Sequence, residues 1–148
     1  MAAVDDLITT IGQNVETGLG QFQRLEAEGK IRPGVYGARE LLCQLEWWHQ
    51  VAADGIESVK SGGDPHRVYA SDDEMDLRAV CRNTGRTVAQ LSEAVLSHQS
   101  RIAAAASGIS DPNAAIFVHG DGTEDSVPKR LEAIAQRWKA SIEELQNQ

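Results

Sequence analysis

Apolar residues recur at steps of three and four along most of this chain, and this spacing restricts the fold more than any other feature. The first such stripe consists of Leu7, Ile8, Ile11, Val15, Leu19, Phe22 and Leu25. It predicts a helix from about Val4 to Glu28, because a period near 3.6 residues places these side chains on one face. Gly29 and the Pro33-Gly34 pair predict the end of that helix.

The same spacing predicts a second long helix that stops before Gly62-Gly63. Its inner face is formed by Leu41, Leu45, Trp48, Ala52, Ile56 and Val59. Two long amphipathic helices in succession favour an antiparallel pair, because each buries its apolar face against the other. We therefore expect the first two helices to pack on each other.

Capping signals mark the later helices. Ser71 with Glu74, and Thr87 with Gln90, have the spacing of a capping box, and they predict a third and a fourth helix. The sequence leaves open whether these two are separate or form one bent rod. Asp125 or Ser126 can cap a last helix whose inner face is Leu131, Ile134, Ala135, Trp138, Ile142 and Leu145.

The remaining segments have the composition of loops. Asp64 to Ala70 is interpreted as a loop, and Ser110 to Glu124 is rich in Asp, Gly, Pro and Asn. Within the second segment, Ile116-Phe117-Val118 forms either a short extended piece or an apolar plug at one end of a bundle. The 148 residues suit one domain, and the pattern predicts an all-α bundle of four or five helices over residues 1–148.

Charge and composition narrow the classes of partner. The net charge is −8, which repels phosphate backbones and argues against nucleic acid as a partner. No apolar run approaches the length of a membrane span, and the stretch from Leu7 to Ile11 lacks the features of a signal peptide. Cys43 and Cys81 lie on separate predicted helices without metal-ligand spacing. We expect a cytoplasmic protein with reduced thiols.

The second helix carries the residues with most chemical interest. Gln44 falls beside the apolar stripe, one turn before Trp48, so its amide can point into the bundle or be satisfied at its boundary. Trp48 lies on the stripe and is expected to pack in the core. Trp47 lies about 100° away from it, where it would either form a subunit contact or be buried under a loop of its own chain.

Histidines are the usual source of metal ligands and general bases. His49 and His98 lie near apolar helix faces, whereas His66 and His119 fall in predicted loops. No two histidines share a helix at ligand spacing, so neither a di-iron site nor a three-histidine zinc site is indicated, and no cofactor is predicted. The acidic turn from His119 to Asp125 is interpreted as a solvated loop, because it lacks calcium-loop spacing.

A family resemblance rests on the run from Gly37 to His49, GARELLCQLEWWH, together with Asn83 and the helix from Thr87 to Ile102. In its order of features the chain resembles the DinB-like superfamily of helical bundles. That superfamily includes mycothiol-dependent maleylpyruvate isomerase-like proteins and the ClbS/DfsB self-protection proteins. The similarity follows the helix order from about residue 5 to 145 and is specific over roughly 35 to 102.

The resemblance also implies where a metal site would lie. Many DinB-like proteins are expected to bind a divalent metal through one histidine on helix two and a His-x-x-x-His pair near the last helix. This chain has Gln44 at the first position and Ile134 and Trp138 at the spacing of the pair. All three matching ligands are replaced, so the resemblance favours the metal-free ClbS/DfsB-like members, with a role in binding or modifying a small molecule.

Three functions follow as hypotheses. The first is a metal-free, dimeric bundle that binds or detoxifies a small organic molecule in a pocket between helices. Gln44, Trp48, Asn83 and Trp138 would line that pocket, and His98 would be the catalytic base if there is a reaction. The second is a metal-dependent thiol transferase that uses His49, His98 and Glu46 or Glu40. The third is a non-catalytic homodimeric interaction module with Trp47 in its interface.

Overall fold

A computed structural model describes residues 2–31 and 37–147. Five helices account for most of this part of the chain: α1 (Ala2–Ala27), α2 (Ala38–Lys60), α3 (Asp72–Arg82), α4 (Val88–Ala106) and α5 (Val127–Gln146). The predicted all-α bundle of four or five helices is confirmed. The third and fourth helices are separate elements. The Pro33-Gly34 pair, predicted to end the first helix, lies outside the described residues.

Side-chain caps define the starts of three helices. Ser71 Oγ accepts a hydrogen bond from the Glu74 N–H at 3.2 Å, and Ser126 rather than Asp125 caps α5. At the start of α4, Thr87 and Gln90 form a complete capping box, each side chain binding the backbone N–H of the other. These bonds satisfy backbone donors that have no partner within the helix.

The four long helices pack around a common core. The main contacts pair α2 with α4 and α1 with α5, and smaller contacts join α1 to α4 and α2 to α5. Helices α1 and α2 scarcely touch, so the expectation that they form an antiparallel pair is wrong. They lie diagonally across the bundle because the apolar face of each is covered by a later helix.

Two glycines permit the closest approaches in this core. A Cβ atom at Gly18 of α1 would lie 2.5 Å from Cζ3 of Trp138 on α5. A Cβ atom at Gly55 of α2 would lie 2.2 Å from the carbonyl oxygen of Ile116, which is a backbone atom that cannot swing away. The absence of a side chain therefore sets how closely α1 meets α5 and how closely α2 meets the segment around Ile116.

A small sheet covers one part of the bundle. It consists of β1 (His66–Arg67), β2 (Ala115–Val118) and β3 (Glu124–Ser126), in the order β1-β2-β3. Strands β1 and β2 are parallel, whereas β2 and β3 are antiparallel and follow each other directly in the chain. Both segments predicted as loops thus contain strands, and Ile116 to Val118 is the extended piece rather than a plug. Its three side chains are buried against α2 and α5.

Candidate functional site

The six residues predicted from the sequence are distributed over different parts of the structure. Trp48, Asn83 and Trp138 are almost fully buried, with exposed fractions of 1%, 2% and 0%. Gln44 is half-buried, and its side chain makes no hydrogen bond within the described chain. None of these side chains, nor His98, lines any of three surface cavities formed by the described residues.

Trp47 is buried within its own chain, with an exposed fraction of 5%. Its ring packs edge-on against Trp48 at a centroid distance of 4.7 Å. It also lines a groove formed with residues 66–69. This placement matches burial under its own loop, which leaves little of the indole for a subunit contact.

His49 of α2 is enclosed in the core, with no exposed surface. The Trp138 indole Nε1–H donates to His49 Nδ1 at 3.2 Å, so Nδ1 must be an acceptor and the ring proton lies on Nε2. That Nε2–H donates to Gln99 Oε1 at 3.0 Å. Burial lowers the pKa of His49 to about 4, and the hydrogen bond that the ring donates to Gln99 opposes this shift only in part. His49 is therefore neutral at pH 7, with both nitrogens occupied.

Glu46 is the centre of a buried polar cluster between α2 and α4, and two predicted site residues meet on it. His98 Nε2 lies 3.1 Å from Glu46 Oε1, and Asn83 Nδ2 donates to Glu46 Oε2 at 3.4 Å. Arg86 approaches the same carboxylate at 3.6 Å. Burial alone would raise the pKa of Glu46, but the hydrogen bond from His98 and the nearby positive charges outweigh it and lower the pKa.

Arg101 fixes the other side of the His98 ring. Its Nη1–H donates to His98 Nδ1 at 2.9 Å, and its remaining donors bind Glu57 at 2.6 Å and Asp54 at 2.5 Å. Since arginine only donates, Nδ1 is an acceptor and Nε2–H donates to Glu46. Both His98 nitrogens are thus engaged by charged neighbours. His98 as a catalytic base stays a prediction that would require Arg101 to move.

A second histidine–carboxylate pair lies at the turn between β2 and β3. His119 follows β2 directly, and its Nε2 lies 2.8 Å from Oδ2 of Asp125 on β3. The carboxylate accepts only, so Nε2 carries a proton. The other nitrogen, Nδ1, lies 3.4 Å from Asp72 Oδ1 at the start of α3. Asp125 is 3% exposed, so a buried carboxylate orients a half-buried imidazole.

Buried Arg130 lies behind this pair. Its Nη1 is 3.2 Å from Asp125 Oδ2, but the geometry is not that of a hydrogen bond, and Nε has no partner. The guanidinium carbon stands 4.9 Å from the ring centres of both Trp48 and Phe117. Burial lowers the pKa of Arg130, partly offset by the charge of Asp125. The aromatic rings and Asp125 together stabilise this buried cation.

A cavity of about 430 Å³ opens in front of His119. Its wall is formed by Tyr69, Ala70, Ser71, Asp72, His119, Gly120 and Asp121. A Cβ atom at Gly120 would lie 2.6 Å from the carbonyl oxygen of Ala70, so a glycine there lets the hairpin turn approach residues 69–72. The cavity thus combines hydrogen-bond acceptors with the exposed ring of Tyr69.

The sequence interpretation missed the pairing of His119 with Asp125, because it treated the whole turn as solvated loop. A usable signal was present. The run from Ala115 to Val118 is apolar, and Asp121-Gly122 is a dipeptide that favours tight hairpin turns. Gly122 has a φ of +88°, and the His119 N–H donates to Thr123 O at 2.8 Å. A hairpin there brings the side chains that flank the turn onto opposing strands.

The alternative metal ligand set of His49, His98 and a glutamate is not assembled. Within residues 2–31 and 37–147, no three His, Cys, Asp or Glu side chains are placed so that they could hold a metal ion. In the same part of the chain, no helix is long and apolar enough to cross a membrane.

Comparisons with protein-family models, curated proteins and solved structures found no match to this chain.

Proposed function

We propose that this chain binds a small polar organic molecule in the cavity in front of His119, with His119 as the acid–base group. One observation carries the proposal. The cavity wall includes an imidazole whose inner nitrogen is fixed by the buried carboxylate of Asp125 at 2.8 Å. A histidine oriented by a carboxylate beside an open cavity is a common arrangement for proton transfer.

The protonation pattern defines what the cavity can recognise. His119 Nε2–H is committed to Asp125, so Nδ1 is the nitrogen that can accept a proton. Asp72 Oδ1 is 3.4 Å from Nδ1, and its side chain is 49% exposed. Both groups accept hydrogen bonds from a bound hydroxyl or amine. On proton uptake at Nδ1, the imidazolium would be held between Asp72 and Asp125.

This proposal keeps the small-molecule function inferred from the sequence and moves its location. The binding region lies between the hairpin turn and the start of α3, rather than among Gln44, Trp48, Asn83 and Trp138. Membership of the DinB-like superfamily, a homodimeric state and a cytoplasmic location stay predictions. A metal-free, ClbS/DfsB-like role in modifying a small molecule stays a prediction as well.

The proposal can be tested with benzylamine, benzyl alcohol and toluene, which share a ring and differ in their donor group. The readout is the ring nitrogen signals of histidine, recorded by NMR on protein labelled with ¹⁵N-histidine. We expect benzylamine and benzyl alcohol to shift the His119 signals saturably and to leave the His49 signals in place. Toluene, which lacks a donor, should shift neither.

Asp125→Asn provides the matched variant, because it keeps the size of the side chain while removing the charge that orients His119. It should weaken the binding of both donor probes, whereas Asp111→Asn, on an exposed loop after α4, should not. Saturable binding that left the His119 signals unchanged would refute the proposed site. Equal binding of toluene would refute recognition by hydrogen-bond acceptors.

A further inference from the structure

A second cavity lies on the other side of residues 66–69, between α2, β1 and α3. It has a volume of about 280 Å³, near the lower end of small-molecule sites. We infer that this groove is a binding site for a small organic anion with a flat apolar body, such as an aromatic carboxylate. This inference is independent of the proposed site at His119, although Tyr69 borders both cavities.

Three arginines supply the positive charge of the groove. Arg78 and Arg82 are one turn apart on α3, so they project from the same face of that helix. Arg67 comes from β1. The side chains of Arg67 and Arg82 form no ion pair or hydrogen bond with the described residues, and the side chain of Arg78 has one exposed pair, with Glu74 at 2.8 Å. Such an exposed pair is weak, so it competes poorly with a bound anion.

Acidic residues outnumber basic ones by 22 to 14 in this chain, so carboxylate partners for arginine are plentiful. Arginine side chains that nevertheless lack a partner therefore point to an anion from outside the chain. Asp54 is the carboxylate that lines the groove, and its Oδ1 is bound by Arg101 Nη2 at 2.5 Å. Arg101 on α4 therefore neutralises most of the negative charge of Asp54. The residues that line the groove carry more positive than negative charge, and guanidinium groups are well suited to bind carboxylates through paired hydrogen bonds.

The floor of the groove explains why the anion should carry an apolar body. Trp47, Val51, Val68 and Met75 are all below 10% exposed, and they form an apolar base beneath the charged rim. Tyr69 stands at the edge with an exposed fraction of 87%. An aromatic side chain this exposed gains apolar contact only when another group covers it. An inorganic anion would leave both the apolar base of the groove and the ring of Tyr69 uncovered.

The test uses 2-naphthoate and its neutral counterpart naphthalene-2-carboxamide, with affinity measured by calorimetry and location by the NMR signals of the tryptophan indole N–H groups. We expect 2-naphthoate to bind saturably and to shift the signal of Trp47 but not that of Trp138. The carboxamide should bind at least about tenfold more weakly, because it lacks the charge that the arginines recognise.

The double variant Arg67→Gln with Arg82→Gln should reduce the affinity for 2-naphthoate by at least about tenfold. Its matched control is Lys30→Gln with Lys139→Gln, which removes the same charge from exposed positions outside the groove and should change affinity less than about twofold. All four positions are on the surface, so both variants should keep the circular dichroism spectrum of the parent.

Four results of the affinity measurements would overturn the inference: no saturable binding of 2-naphthoate, equal binding of the carboxamide, unchanged affinity in the arginine variant, or an equal loss in the lysine control. An equal loss of affinity in the lysine control would show that the overall charge of the protein, rather than this groove, attracts the anion. Binding with a shift at Trp138 instead of Trp47 would also contradict it, because only Trp47 belongs to the groove.

Discussion

Both ring nitrogens of His49 and of His119 lie within 3.5 Å of a polar atom of another side chain, yet the surroundings of the two rings are opposite. His49 is fully buried between an indole donor and an amide acceptor, which are neutral partners. His119 lies between two carboxylates and also lines an open cavity. The first arrangement holds the ring neutral, whereas the second places the ring beside two carboxylates and an open cavity.

The difference indicates which kind of histidine in a helical bundle is available to bind a ligand or transfer a proton. A histidine on an inner helix face is surrounded by side chains that must satisfy it, because an unpaired buried nitrogen costs stability. A histidine on a turn at the edge of the bundle can be oriented by one buried partner and still face a cavity. Substitutions should therefore affect folding around His49 and binding around His119.

The largest expected effect is that of Trp138→Ala in the core. The substitution removes a fully buried indole and leaves His49 Nδ1 without its donor. We expect the free energy of unfolding to fall by about 4 kcal/mol, as for other large-to-small changes of buried aromatic residues. Urea denaturation followed by circular dichroism measures this loss.

Trp138→Phe is the matched control, because it restores most of the ring volume but not the N–H donor. It should recover more than half of the loss. If both variants lost the same free energy, the bond to His49 rather than the packing of the ring would dominate at this position.

The second effect is the pH dependence of stability due to His49. Its pKa is about 4 in the folded chain and near 6.5 when exposed, so the unfolded state binds a proton first as the pH falls. The contribution of His49 to the free energy of unfolding is therefore fully present above pH 6.5 and is lost as the pH falls toward 4. A shift of this size corresponds to about 3 kcal/mol.

Urea denaturation at several pH values between 7 and 4 tests this prediction. Burial also lowers the pKa of His66, so its contribution has the same sign. The variant His49→Gln should flatten the pH dependence more strongly than His66→Gln. An unchanged slope in His49→Gln would show that protonation of this ring does not limit acid stability.

The third effect concerns the cluster around Glu46. Glu46→Gln keeps the shape of the side chain but removes the charge that faces His98 and Arg86. Because hydrogen bonds to charged groups are stronger than neutral ones, we expect a loss of about 2 kcal/mol at pH 7. The exposed Glu93→Gln on α4 provides the control and should change stability by less than about 0.5 kcal/mol.

The helices were predictable from sequence, and the polar partners were not. The capping box of Thr87 with Gln90 and the core position of Trp138 follow from short-range spacing, which the helix period determines. Strands β1 and β3 escaped prediction because they are only 2 and 3 residues long, and β2 was predicted as one of two alternatives for Ile116 to Val118. The partners of His98 and His119 depend on how separate elements pack, which no local pattern records.

The smallest expected effect on stability is that of His119→Gln. The side chain is 20% exposed and sits at a hairpin turn, so we expect a loss below about 1 kcal/mol in urea denaturation. The same variant should abolish the saturable response to benzylamine, read from the backbone amide signals of Ala70 and Gly120. A large loss of stability with probe binding retained would make His119 a structural residue like His49, and the contrast between the two would disappear.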